Sequence, residues 1–309
     1  MAPSRAAWLA SAPVIYQDPL AYLIGLEGVA LLDGWAGDHP KEFTEARLAE
    51  VRRLLDDAAL RERGVHVESV DAATAYRQQA PGYDAGGGGG LFDLDTPLVA
   101  EFLAGRPAGV ALDAACGTGR FAELLAAAGH QVVGVDVSED MLAIARRRVP
   151  GGTFHIGDLD RLPLADGSVD VVVCALALVH VRDLGPAMAE LARVLRPGGD
   201  LVVSDIHHEL TTRGSAITGL GPAGEPLRAP TYRHPVGDYL RAALAAGLIV
   251  RRCEEPGAVV WDGPLPPRSD EVGDWEHWPW SLMSYEPAAI RAAGGRPALL
   301  LWHFRQPER

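Results

Sequence analysis

The sequence predicts an α/β protein built on a mostly parallel sheet with helices on both faces. Three observations carry the prediction. The stretch Val110-Ala-Leu-Asp-Ala-Ala-Cys-Gly-Thr-Gly-Arg120 reads as a buried strand, a glycine turn and the start of a helix. Apolar runs and helical patterns then alternate through residue 206, the signature of strands laid side by side with helices packed on them. A second acid, Asp136, closes the next apolar run, where a nucleotide-binding fold places a ribose ligand.

Residues 1–84 read as an N-terminal helical extension or lid. Asp18-Pro19 starts a helix carrying Leu20, Leu23, Ile24, Leu26 and Val29. Residues 42–60 give a second helix. Phe43, Leu48, Val51, Leu54 and Leu55 form its apolar stripe, and Glu42, Glu45, Arg47, Glu50, Arg52 and Arg53 face out. The glycine run 85–90 reads as a linker. The main domain is expected over residues 91–309, with insertions at 207–235 and 255–295.

Asp95-Thr-Pro97 reads as a helix start, with Pro in the first turn and Val99, Phe102 and Leu103 on one face. Strands are expected at 109–115, 131–137, 153–156, 169–175, 199–206, 249–253 and 298–304. Helices fall at 121–128, at 184–195, at 236–245 and from a Ser138 cap to Arg148. The first insertion begins at a strand's carboxyl end, where open α/β sheets bind ligands, so it is placed to wall a pocket. The second holds Trp261, Trp275, Trp278 and Trp280. It is expected at the opposite end or on the helical layer, its tryptophans packing an irregular loop.

Lys+Arg of 28 against Asp+Glu of 41 gives a net charge of −13. Nucleic acid and anionic membrane both need a basic face, so neither is expected as a partner. The 3 cysteines have no metal or disulfide spacing, which predicts no metal site and a reducing cytoplasm. No leader or membrane-spanning pattern is read at the N-terminal end. The N-terminal stripes are candidates for a homodimer contact.

Gly117 and Gly119 let the backbone bend sharply and approach a ligand closely. Asp136 suits two ribose hydroxyls, which NAD and S-adenosylmethionine both carry. Asp113 separates the two: a carboxylate beside a pyrophosphate is repulsive, whereas S-adenosylmethionine has an ammonium and a sulfonium and no phosphate.

Asp113-x-Ala-x-Gly-x-Gly119 resembles the first motif of class I S-adenosylmethionine-dependent methyltransferases. Gly157-Asp-Leu159 is similar to that family's adenine-binding turn, and Leu195-Arg-Pro-Gly-Gly199 to the turn before its fifth strand. The resemblance implies a Rossmann-like sheet of seven strands, six parallel and one antiparallel beside the fifth. It also implies that Asp113 and the Gly117-Thr118-Gly119 backbone hold the methionine portion and Asp136 the ribose. Asp158 and Leu159 would meet the adenine edge, with Val137 and Met141 on its faces. Tyr83 of Tyr83-Asp84 would lie near the methionine end, and Ala115 and Ala175 complete the set. Ala115 stands where the family usually has glycine, which predicts crowding near the cofactor.

Methyl transfer is an in-line displacement that mainly needs alignment. A base is needed only when the acceptor must lose a proton. His180 and His207, both just past strand ends, are the candidate bases, with Asp205, Tyr232 and His234 behind them. The expected activity is methyl transfer to a small organic acceptor, with oxygen ahead of nitrogen or carbon, in secondary metabolism. Two readings stay open: a protein of this fold that binds S-adenosylmethionine without methylating, and an NAD-dependent oxidoreductase.

Overall fold

A computed structural model describes residues 15–79, 84, 90–214, 217–257, 265, 267–288 and 294–308. In chain order the first elements are β1 (Ile15–Gln17), α1 (Pro19–Asp33), α2 (Lys41–Asp56) and β2 (Val65–Ser69). Next come α3 (Ala72–Gln79), α4 (Leu91–Leu103), β3 (Val110–Ala114), α5 (Arg120–Ala127) and β4 (Gln131–Asp136). Then follow α6 (Glu139–Arg148), β5 (Thr153–Ile156), β6 (Val169–Ala175), α7 (Leu184–Val194) and β7 (Leu195–Ile206). The chain continues with α8 (His208–Thr212), β8 (Ile217–Leu220), β9 (Pro226–Ala229) and α9 (Val236–Ala245). It ends with β10 (Ile249–Glu254), α10 (Trp280–Tyr285) and β11 (Leu299–Arg305). These elements form two compact units. One is Met1–Asp71 with Arg213–Pro230 and Ala258–Arg296, and the other is Ala72–Thr212 with Thr231–Gly257 and Pro297–Arg309.

The larger unit is built on a 7-stranded sheet in the order β10-β11-β7-β6-β3-β4-β5. β7, β6, β3, β4 and β5 pair in parallel. β11 runs antiparallel to both β7 and β10, so the expected six-plus-one sheet is present. Successive strand residues enter opposite cores, as a period of two requires. Ala111 packs with Val171, Val173, Phe121 and Leu125 on one face. Leu112 packs with Val172, Cys174, Leu191 and Tyr239 on the other. Both faces are covered, which is why these strands read as near-continuous apolar runs.

Two boundaries differ from the local pattern. α4 starts at Leu91 after a left-handed Gly90, so Pro97 lies inside the helix and Asp95 is no cap. Its carboxylate is drawn to Arg120 instead. β7 begins at Leu195, within the expected turn. Its register against β6 steps from Val169↔Leu195 to Val171↔Asp200, an irregularity that absorbs the Pro-Gly-Gly segment.

The smaller unit contains strands as well as helices. Its sheet runs β1-β2-β9-β8, with β2 parallel to β9 and the other pairs antiparallel. The expected all-helical extension omitted β1 and β2 because each is short and its partners lie elsewhere in the chain. The boundary falls at Asp71, which leaves α3 in the larger unit. α1 starts at Asp18-Pro19 as expected, and Asp18 caps it, its Oδ1 accepting from Leu20 N at 2.8 Å. The stripe of α2 is rotated from the expected one. Leu54 is buried, whereas Leu48 and Leu55 are 41% and 54% exposed. Arg47 turns inward and donates to both oxygens of buried Glu27 at 2.8 and 3.0 Å, an ion pair a hydropathy pattern does not reveal. Trp275 and Trp278 pack with Leu23, Leu26, Leu54 and Val67. The Trp-rich insertion therefore contributes to this unit's core. Trp261 lies outside the described residues.

Candidate active site

The site grows from the turn after β3. Ala115 adopts a left-handed backbone with φ of 56°, and Cys116 N donates to Val135 O at 3.0 Å. Gly117 and Gly119 are also left-handed, at 52° and 85°. A Cβ on Gly119 would sit 3.0 Å from Ala145 Cβ and 3.1 Å from its Cα, so the close approach of α5 to α6 depends on that glycine. A Cβ on Gly117 would meet nothing within 4 Å, and the turn's backbone is open there.

A cleft of about 350 Å³ opens on this turn. Asp113, Ala115, Gly117, Thr118 and Ala175, all expected site residues, line it. Asp113 is 2% exposed. Its Oδ2 accepts from Ala122 N at 2.7 Å, tying the strand to the first turn of α5. Burial pushes its carboxyl up to about 7. Burial also raises Asp136, opposed by the backbone donors around it. Those donors are Gly117 N on Oδ2 at 2.8 Å and Ser138 N on Oδ1 at 2.9 Å, so Asp136 braces the glycine turn.

The other expected cofactor residues divide. Val137 is 42% exposed beside Asp136, but Met141 is 2% exposed and packs in the core. The expected sandwich between these two side chains is therefore not open on the Met141 side. Gly157 N donates to Asp136 O at 3.0 Å, bringing the end of β5 to that of β4. Asp158 follows, its carbonyl accepting from Arg161 N at 3.1 Å. Leu159 is buried, so only its backbone is at issue. Tyr83 lies outside the described residues. Its neighbour Asp84 reaches the glycine turn, accepting from Thr118 Oγ1 at 2.8 Å and pairing with Arg148.

His180 follows β6 in a short turn, Leu178–His180. Its Nε2 lies 3.0 Å from Tyr76 Oη, and the two rings meet edge-on at 5.5 Å. Tyr76 is on α3, which also reaches α6 through an Arg77–Asp140 ion pair at 3.5 Å. Thus α3 links the end of β6 to the helix after β4. His207 has a different environment from the one expected of a base. It is 2% exposed. Its Nδ1 accepts from Glu209 N at 3.2 Å and its Nε2 contacts Glu255 Oε1 at 2.9 Å, so both nitrogens hold the local fold. Asp205 is fully buried, accepts from Tyr239 Oη at 2.6 Å and is raised by burial to about 7. His234 Nε2 bonds Val181 O at 2.7 Å, and Arg182 lies 5.4 Å over the Tyr232 ring. Burial pushes the Cys116 thiol well up, which fits a packed residue and no nucleophile.

Sequence reasoning missed Tyr76, Arg120 and Phe92. Arg120 stands inside the motif itself, yet its role depends on Asp95, a partner no local pattern links to it. Among the described residues no group of three His, Cys, Asp or Glu side chains is placed to hold a metal. No described helix is long and apolar enough to cross a membrane.

The methyltransferase domain family matches residues 112–203. The demethylmenaquinone methyltransferase of Renibacterium salmoninarum is 34% identical over 192 residues, 61% of this chain and 73% of that protein. The malonyl-[acyl-carrier protein] O-methyltransferase of Yersinia pestis is 36% identical over 131 residues, 42% of this chain and 46% of that protein. This chain thus spans about half the length of the second relative. Among solved structures, the methyltransferase in complex with the Trm112 methyltransferase activator of Haloferax volcanii superposes with a TM-score of 0.53 at 22% identity. That likeness covers 76% of this chain and 98% of the other and is one of fold. With the glycine turn, the two strand-end acids and the antiparallel seventh strand already in place, the chain belongs to the class I S-adenosylmethionine-dependent methyltransferases, with S-adenosylmethionine as its cofactor.

Proposed function

We propose that the protein methylates a small organic acceptor at oxygen, and that His180, positioned by Tyr76, takes the acceptor's proton. The observation that carries this reading is the 3.0 Å contact between Tyr76 Oη and His180 Nε2. It lies just past Ala175 and Leu176 of the cofactor cleft. S-adenosylmethionine supplies an electrophilic methyl on sulfonium sulfur when bound. The open backbone at Gly117 accommodates its methionine end, Asp136 holds the ribose hydroxyls, and Val137 covers the adenine. Asp158 and the Leu159 backbone stand at the adenine edge.

The protein's main contribution is alignment, for which roughly 7–11 kcal/mol of barrier is available. An oxygen acceptor must also lose a proton, and imidazole is the side chain that ordinarily titrates near neutrality. The Tyr76 Oη contact on Nε2 orients the imidazole for that transfer. One relative is by name an O-methyltransferase, which supports oxygen as the acceptor atom. Three free thiols support a reducing cytoplasm as the compartment.

A panel of phenols, alcohols, amines and activated carbon acids tests the reading, with product mass as the readout. A gain of one CH₂ on oxygen is expected. His180→Gln should lower kcat by about 10²- to 10⁴-fold and leave S-adenosylhomocysteine binding intact. A product of unchanged mass would turn the reading to a non-methylating reaction, and an unaffected kcat would remove His180 from the chemistry.

A further inference from the structure

Three strands of the smaller unit bring Ser69, Arg228 and Thr218 side by side. Arg228 of β9 pairs with Ser69 of β2 and with Thr218 of β8. Residues paired across adjacent strands share a face of the sheet. Val67, two residues before Ser69, is fully buried in this unit's core, so Arg228 stands on the core-facing side. Its Nε is shielded from solvent and has no hydrogen-bond partner among the described residues. Burial alone lowers its pKa, with no carboxylate opposing the shift. A guanidinium taken out of water without a counter-charge is unfavourable, and an anion beside it removes that cost.

A cavity of about 530 Å³ in the same unit begins at Thr218, the cross-strand neighbour of Arg228. Directly opposed residues hold their Cβ atoms about 4.5–5.5 Å apart, well within the reach of an arginine side chain. Tyr22, Trp278, Pro279 and Leu282 give the cavity aromatic and apolar walls. Burial pushes the Tyr22 hydroxyl up to about 12, opposed by the Arg213 guanidinium, so near neutrality Tyr22 is an uncharged donor. Arg213 itself directly precedes Gly214 of the lining. Asp18 also lines the cavity, but its Oδ1 is engaged by Leu20 N at 2.8 Å as the cap of α1.

We propose that the smaller unit binds an aromatic carboxylate in this cavity, with Arg228 taking the carboxylate and Tyr22 and Trp278 the ring. A carboxylate offers two oxygens to the planar fork of a guanidinium. A flat apolar body suits the aromatic walls, and a cavity of this volume is of the size that takes a small molecule. Every lining residue belongs to the smaller unit, so the site stands independently of the methyl-transfer reading.

Calorimetric titration with phenylacetate tests the site, with phenylacetamide as a probe of the same shape and no charge. Wild-type protein should bind phenylacetate about 10-fold or more tightly than phenylacetamide, and its thermal midpoint should rise with phenylacetate. Arg228→Met keeps an apolar stem and removes the charge. It should weaken phenylacetate about 10- to 100-fold and leave phenylacetamide within about twofold. Arg228→Lys is titrated beside it, with thermal melting as the folding check of both. Lysine keeps the charge and loses the fork, so phenylacetate should weaken about 10-fold. Wild-type protein that binds neither probe, or binds the two equally, overturns the proposal. So does a folded variant, either one, that binds phenylacetate as tightly as the wild type.

Discussion

Ala115 and Leu176 directly follow the neighbouring strands β3 and β6, and both hold a left-handed backbone, with φ of 56° and 55°. Both line the cleft at the glycine turn. For a residue with a Cβ this conformation costs about 1–2 kcal/mol. It persists because the adjoining backbone is pinned: Cys116 N donates to Val135 O at 3.0 Å and Leu176 N to Ser204 O at 2.7 Å. Local strain is thus held at the cleft proposed to take the cofactor.

Ala115→Gly should relieve that strain at a cost in unfolded-state entropy of about 0.5–1 kcal/mol. The expected balance is a stabilisation of up to about 1 kcal/mol, and Ala115→Val should destabilise by about 2 kcal/mol or more. Urea denaturation of both variants checks the pair. Equal losses in the two would refute the strain argument.

Gly117→Ala and Gly119→Ala should separate binding from stability. Both place a Cβ on a left-handed residue, costing about 1–2 kcal/mol. Only at Gly119 does the new atom press on Ala145, at 3.0 Å, adding about 1 kcal/mol or more. At Gly117 it enters open space at the cleft. Denaturation midpoints should therefore fall further for Gly119→Ala. S-adenosylhomocysteine affinity should fall for Gly117→Ala although its loss of stability is the smaller of the two.

Asp205 makes stability pH-dependent with a definite sign. Burial raises it to about 7 in the fold, against about 3.9 in an unfolded chain. The folded state therefore binds the proton more tightly. The contribution is fully present below about pH 4 and is lost as pH rises through about 7. Asp113, raised to about 7 by the same cause, acts in the same window. Asp205→Asn keeps the partners of Tyr239 Oη and Ile206 N and removes the titration. Its stability, followed by urea midpoints from pH 4 to 8, should decline less than that of the wild type. Parallel profiles would contradict the assignment.

Tyr76→Phe removes the hydroxyl and keeps the ring against His180. As a positioning residue, Tyr76 should affect kcat about 10-fold, less than His180→Gln does, and shift the limb of the kcat–pH profile that reports the base. S-adenosylhomocysteine affinity should not change. An unshifted profile would reduce the contact to packing. The Arg77–Asp140 pair on the same helix is more than half exposed on both sides, so Arg77→Ala should cost less than about 1 kcal/mol.

The residues of the proposed cofactor side lie within single local units, which is why sequence reasoning reaches them. Asp113, Gly117 and Gly119 occupy one strand–turn–helix, and Asp136 closes the next strand. The acceptor side was half legible. His180 and His207 stand at comparable places after strands, and sequence alone ranks them alike. Only the packing shows His207 engaged at both nitrogens by Glu209 and Glu255, and His180 meeting a tyrosine 104 residues earlier in the chain.

Local patterning by itself determined the larger unit. A run such as Val169–Ala175, buried on both faces, has one stable use, as an inner parallel strand, and alternation with amphipathic helices orders the rest. Tertiary structure decided what long-range partners decide. β2 finds β9 through Glu68↔Leu227, Arg47 turns inward to Glu27, and Arg120 is aimed by Asp95. Periodicity and caps are properties of neighbouring residues. The facing of a charge or the partner of a short strand depends on where the chain returns, and that is known only once the chain has folded.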